Sequence, residues 1–209
     1  MSKLLYIKAS PRGKRSKSIM VAEEFIDAYR EVHVDDEVEE LDLFEADLPG
    51  FDGFVIEAKY NIMHGREHSP EQEQAWGKVE EVIGHFKSAD KYVFAVPMWN
   101  FGIPYRLKQY IDILVQPGLT FSVSEAGYEG LIKGKPVMVI YARGGSYSAE
   151  QGNETYDMQK RYLELILGFI GFEQIGSIVV QPTMQGSAEQ FHAMFELAKY
   201  KARQSAEDF

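Results

Sequence analysis

Two stretches of this chain, KYVFAVPMW at 91–99 and KPVMVIYARGG at 135–145, run almost unbroken through apolar residues. An alternating pattern would mark a strand with one face in water. An unbroken run of this length, closed by proline or a glycine pair, marks a strand covered on both faces. Two such strands point to a parallel sheet with helices on either side, because parallel neighbours need long crossovers and those crossovers are right-handed. The remaining segments supply the rest. LLYIKA (4–9) reads as a first strand, and Val21, Ala22, Phe25, Ile26 and Tyr29 then recur at helical spacing. VEELDLF (38–44) is a second strand, followed by an irregular surface excursion to about residue 70. Ser69, Pro70 and Gln72 form a capping-box start for a helix bearing Trp76, Val79, Val82, Ile83 and Phe86. Pro104 opens a helix with Leu107, Tyr110, Ile111 and Leu114, and residues 116–134 are a glycine-rich, polar stretch. A helix over about 155–170, a fifth strand IGSIVVQP (175–182) and a last helix from near Ser187 to about Ala202 complete the pattern.

The expected fold class is therefore α/β: a doubly wound, five-stranded parallel sheet of order 2-1-3-4-5 with helices on both faces. It forms one domain over 1–209, with surface insertions near 45–70 and 116–134. In such sheets ligands bind beyond the carboxyl ends of the strands, where the strand order reverses. The loops at 10–18, 97–103 and 142–148 are expected to converge there.

Composition narrows what that site can hold. With 22 Lys and Arg against 32 Asp and Glu, the formal net charge is −10, which argues against nucleic acid or an anionic membrane as partner. There is no cysteine, which excludes disulfides, thiolate catalysis and cysteine-held metal sites and fits a cytoplasmic location. No apolar run has the length of a membrane span, and the N-terminus does not read as a signal peptide. HGREH (64–68) lacks the order of a zinc-binding helix and reads as a surface loop or substrate-lid segment, and the acidic stretch at 31–42 lacks calcium-loop spacing and reads as a solvated edge.

Three constellations remain. SPRGKRSKS (10–18) gathers cations and serines after the first strand and before a helix. It suits a phosphate, through hydroxyls, amides and the positive end of the helix dipole, or else a basic turn in which Ser16 or Ser18 caps the helix. Neither the P-loop pattern nor G-x-G-x-x-G occurs, which disfavours nucleotide triphosphate hydrolysis and the ordinary dinucleotide fold. PMWNFG (97–102) places two aromatics and Asn100 at a strand's carboxyl end, suited to the edge of a flat heterocycle. ARGGSY (142–147) offers Arg143 or the glycine amides to developing negative charge, or else makes a simple strand-to-loop turn, and Gly144 and Gly145 permit positive φ or close backbone approach.

Together these segments resemble the flavodoxin-like NAD(P)H:quinone oxidoreductases, specifically the FMN-dependent NADH-azoreductase family of bacteria. The resemblance covers essentially the whole chain, through MSKLLYIKASP, PMWNF, GLTF, EGLIKGKP, ARGG and LGFIGF. It implies a homodimer with one tightly but non-covalently bound FMN per subunit near the dimer interface. NADH would be the donor, and quinones or aromatic azo compounds the acceptors, in a two-electron ping-pong cycle that needs no side-chain nucleophile. By motif, Ser10, Ser16, Lys17 and Ser18 would hold the phosphate, and Met98, Trp99, Asn100 and Phe101 would line the ring system. Ala142, Arg143, Gly144 and Gly145 would hold its pyrimidine end, with Asn100 and Phe169 on the substrate side. The chain departs from the family pattern at Val123 and Tyr128, where the family often has tyrosine and proline, and this bears on substrate preference. Two other readings fit the same fold: a flavodoxin-like electron carrier and a non-enzymatic FMN-binding regulatory protein.

Overall fold

The computed structural model describes residues 1–209. The strands β1 (Lys3–Lys8), β2 (Glu37–Asp42), β3 (Lys91–Pro97), β6 (Val137–Ala142) and β7 (Ile175–Val180) form one parallel sheet of order β2-β1-β3-β6-β7. The apolar runs behave as two-sided strands. In β3, Tyr92, Phe94 and Val96 enter one core, which also takes in Trp76 of α3 (Pro70–Lys87), Leu107 of α4 (Tyr105–Leu114) and Leu163 of α5 (Met158–Ile170). Val93 and Ala95 enter the other, with Phe25 of α1 (Lys17–Val32) and Phe195 of α6 (Ala188–Glu207). Val139 and Tyr141 of β6 take the first face, and Met138 and Ile140 the second.

The 2-1-3-4-5 numbering expected from sequence is corrected to 2-1-3-6-7, because the stretch 116–134 is not shapeless. It folds into an antiparallel hairpin, β4 (Phe121–Ser124) and β5 (Gly127–Gly130), outside the main sheet. The hairpin's root is fixed by backbone against backbone: the Ile132 amide donates to the Ile170 carbonyl at 2.8 Å, and a Cβ on Gly130 would overlap the main chain at Ile170 and Gly171. The 45–70 excursion likewise holds a helix, α2 (Gly53–Met63), whose N-terminus is capped by Asp52 through the amides of Phe54 and Val55. β3 ends at Pro97, the proline expected to close it, while α6 runs on to Glu207 rather than Ala202. No helix is long and apolar enough to cross a membrane.

At the amino ends of the strands, Asp36 ties four elements together. Its carboxylate accepts from the Ser2 amide at 2.6 Å and the Tyr29 hydroxyl at 2.6 Å, while Lys91 lies 3.5 Å away and itself donates to the Tyr29 oxygen at 2.8 Å. The Ser2 amide, then the Tyr29 hydroxyl, hold the Asp36 carboxyl at about 2, below its ordinary value. A depressed folded-state value stabilises the fold above the unfolded carboxyl's titration, and that contribution is lost as pH falls through the folded value. Stability should therefore decline between about pH 4 and pH 2. Asp36→Asn is expected to lower the melting temperature at pH 7 by a few degrees and to flatten the decline over that window, as followed by circular dichroism. An unchanged acid limb in the variant would show that Asp36 does not carry this linkage.

Candidate functional site

Parallel register puts the loops after β1, β3, β6 and β7 at one edge, with Lys8 beside Ala95, Pro97 beside Ala142, and Ala142 beside Val180. The first of these loops makes a short 3-10 turn (Gly13–Arg15) before α1. Ser10, Ser16 and Ser18 are all buried there. Ser16 occupies the N-cap position of α1 but makes no side-chain cap; its hydroxyl lies 3.1 Å from that of Ser18 instead. The amides of Lys17, Ser18 and Ile19 have no acceptor within the chain. Four of the other five helix starts are closed, α2 and α5 by Asp52 and Asp157, α3 and α6 by capping boxes at Ser69 and Ser187; α4 starts at Pro104 without a side-chain cap. An uncapped start with buried hydroxyls beside it is what an anion requires. Arg12, Lys14 and Arg15 stand exposed around it without ion pairs of their own. Lys17 is turned away: its ammonium lies over the rings of Phe191 and Phe195 of α6 at 5.0 and 5.1 Å.

After β3 the chain turns sharply. Trp99 and Gly102 exchange backbone hydrogen bonds of 3.0 and 2.9 Å, and the two residues between them, Asn100 and Phe101, have φ of 48° and 69°. Both central residues are thus left-handed, as in a type I′ turn. Asparagine tolerates that conformation; phenylalanine there carries strain of about 1–2 kcal/mol. Met98 is held to β6, its amide donating to the Ala142 carbonyl at 2.8 Å. Trp99, Phe44 and Tyr105 form an aromatic wall with ring centroids 5.7 to 6.1 Å apart. Between this turn and α4 lies an open cleft of about 720 Å³, lined in part by Phe51, Trp99, Asn100, Tyr105 and Lys108. The serine loop does not line that cleft.

At the end of β6, Arg143 is consumed by the fold. Its guanidinium is buried, donating through Nε to Gln159 at 2.9 Å and through Nη1 to Gln181 at 3.3 Å, with Nη2 2.8 Å from the Asp157 carboxylate. Its amide donates to Val180 and its carbonyl accepts from Thr183. What remains open in this loop is backbone: the amides of Gly144, Gly145 and Ser146 donate to no group in the chain. Neither glycine has a positive φ, so the pair is not there to make a left-handed turn, and close approach is the role left to it. Ala142 is buried, packing with Val180 and Ile178 in the α1/α6 core.

Phe169 is not brought to the Trp99 turn. It sits half-buried on α5 against the hairpin, 4.9 Å from the Phe121 ring and 5.6 Å from Tyr128. Within HGREH, His68 bonds the Ala58 carbonyl at 2.7 Å and His64 stacks on Tyr60. Sequence reasoning passed over Phe44, Tyr105, Tyr147 and Tyr156, the last two flanking the Phe101 ring at 6.2 and 5.5 Å. Phe44 and Tyr147 were within reach, since each follows the carboxyl end of a sheet strand.

Comparison with known proteins agrees with this geometry. Residues 2–204 match the protein family described as having a flavodoxin-like fold. Over 209 residues, covering 100% of both chains, the sequence is 54% identical to the FMN-dependent NADH:quinone oxidoreductase of Nitratidesulfovibrio vulgaris. The crystal structure of an azoreductase from Bacillus anthracis superposes with a TM-score of 0.92 at 30% identity, covering 100% of both chains. An FMN-dependent NADH-azoreductase from the same species, solved in complex with FMN, gives 0.86 at 29% identity, covering 99% of this chain and 100% of that one.

Asparagine and glycine both accept the left-handed position at 100, so Asn100→Gly is expected to leave the melting temperature within about 3 °C of the wild type while weakening a ligand whose edge the amide reads. Calorimetry beside a binding titration separates the two effects; a clear fall in melting temperature would mean that the asparagine stabilises the turn.

Proposed function

The chain belongs to the flavodoxin-like family, among its FMN-dependent NADH:quinone oxidoreductases, and from that premise we infer that it is itself an FMN-dependent enzyme carrying electrons from NADH to quinones and aromatic azo compounds. The observation that carries the reading is the start of α1, where buried Ser16 and Ser18 bond only each other and the first-turn amides stand open. That is the donor set a phosphate monoester takes, and the residues fit the cofactor. Bound FMN would supply the two-electron redox chemistry. The protein's part is to bind and to orient. Ser10, Ser16 and Ser18 with the α1 amides hold the phosphate, and the exposed cations of 12–15 add local positive charge to a chain of net charge −10.

Met98, Trp99, Asn100 and Phe101 would present backbone and ring surface to the flat ring system, and the open amides of 144–146 would favour negative charge at its pyrimidine end. Lys17 contributes through its backbone amide, since its ammonium is engaged on α6. Donor and acceptor share one flat, aromatic-walled slot, which gives a ping-pong order and broad acceptor range. Relatives named as oxidoreductases, matching 91% to 100% of the chain, favour the enzyme over the electron carrier or the regulatory protein. We read the assembly as a homodimer, because α2 leaves Phe54, Tyr60, Ile62 and Met63 open to solvent, and Phe101 and Tyr105 are exposed as well. A monomeric mass by sedimentation at micromolar concentration would refute that part.

The purified protein is expected to show flavin absorption that bleaches with NADH under anaerobic conditions and returns on adding benzoquinone. A colourless protein that takes up no FMN would sink the reading. Ser16→Asp tests the phosphate site more narrowly. A carboxylate there is a good N-cap and should hold or raise the melting temperature, yet it should weaken FMN retention at least about tenfold by repelling the phosphate. Unchanged FMN affinity would return residues 10–18 to the status of a basic turn.

A further inference from the structure

Resting on the flavin reading above, we propose that Asp157, through Arg143, is a positioning residue that locks the 98–101 turn and the 143–147 loop into one preformed frame. One Asp157 oxygen, Oδ1, accepts from the Lys160 amide at 2.9 Å and starts α5. The other, Oδ2, lies 2.8 Å from Arg143 Nη2, deep enough that Arg143 is 2% exposed. The very next residue, Met158, donates its amide to the Phe101 carbonyl at 3.1 Å and so pins the strained turn. Arg143 extends the same network the other way. Its Nη1 meets Gln181 Oε1, the atom that also accepts from the Tyr147 amide at 3.2 Å, and its Nε meets Gln159, which in turn donates to the Val96 carbonyl of β3 at 2.9 Å.

The open amides of 144–146 thus lie between two anchored points, Arg143 and Tyr147, while the Phe101 turn hangs from the residue beside Asp157. A buried ion pair is a weak source of net stability, and Nη2 meets the Asp157 carboxylate by charge alone, but with Nε and Nη1 bonded to Gln159 and Gln181 the guanidinium is fixed in place. Its function here is to hold donors in place before the ligand arrives, so that no reorganisation is needed when negative charge develops. Asp157 and Arg143 touch neither ligand nor acceptor in this arrangement; they act through the backbone they hold.

Three variants test it. Asp157→Asn keeps a cap for α5 and removes the charge opposite Arg143; Arg143→Lys keeps the charge and loses the planar fork; Gln181→Leu removes only the acceptor shared by Arg143 and Tyr147. In flavin-free protein, amide hydrogen exchange at Tyr147 and Met158 is expected to speed by about tenfold or more in Asp157→Asn and Arg143→Lys, with Tyr147 alone affected in Gln181→Leu. In loaded protein, the FMN dissociation constant should rise by about tenfold and the midpoint potential should move to more negative values, because misaimed amides stabilise added negative charge less. Variants that melt lower yet keep wild-type exchange, FMN affinity and potential would overturn the proposal and leave the pair as core alone. If either charged-pair variant does not fold, Gln181→Leu decides by the same readouts. If the wild type takes up no FMN, the flavin reading fails, while the exchange rates still judge the frame.

Discussion

The constraint on which the rest of this structure depends is the two-sided burial of β3 and β6. A strand whose alternate residues enter different cores cannot slip by one position without exchanging Tyr92, Phe94 and Val96 for Val93 and Ala95, which pack against different helices. Register is therefore set by side-chain shape on both faces, and register is what aligns the strand ends. The serine loop, the Trp99–Gly102 turn and the 143–147 loop arrive at one edge because of packing that lies well inside the sheet. Chemistry at the edge is downstream of that burial.

The molecule separates stable helix starts from open ones. Ser69 and Ser187 close α3 and α6 with reciprocal capping boxes, where nothing need bind. At α1 the same residue type is present but its hydroxyl is spent on Ser18, and the first-turn amides stay unpaired. Phe101 is likewise held in a conformation that phenylalanine disfavours, by the Trp99–Gly102 bridge and the Met158 amide. Local stability is forgone at the points where a ligand would restore it.

How much of this was legible depended on how local each signal was. The capping box at Ser69 and Gln72, the apolar runs and the proline start of α4 are written in adjacent residues, and they were read. The hairpin was missed because its strands are four residues each and carry almost no buried side chains, so neither alternation nor an apolar run marks them. Helix α2 was missed because its apolar residues surround it instead of forming a stripe, leaving no helical period to see. Arg143 was read as ligand-facing from its place beside two glycines. Its burial is decided by Asp157, Gln159 and Gln181, up to 38 positions away, and no short window contains them. The serine hydroxyls were legible as a phosphate site, but the withdrawal of Lys17 onto Phe191 and Phe195 was not, since those rings lie on the last helix.

The contact between Gly130 and Gly171 bears on how this protein is able to diverge. Because main chain meets main chain there, neither position can accept a side chain unless the other segment moves first, so single substitutions are closed to both. Farther along the same hairpin, Val123 and Tyr128 pair across the two strands with 62% and 71% of their surface in solvent, and the Tyr128 ring rests only loosely against Phe121 and Phe169 at 6.1 and 5.6 Å. The hairpin is thus immovable at its root and permissive along its length, and mutational drift is channelled onto one small face while the scaffold beneath it stays fixed.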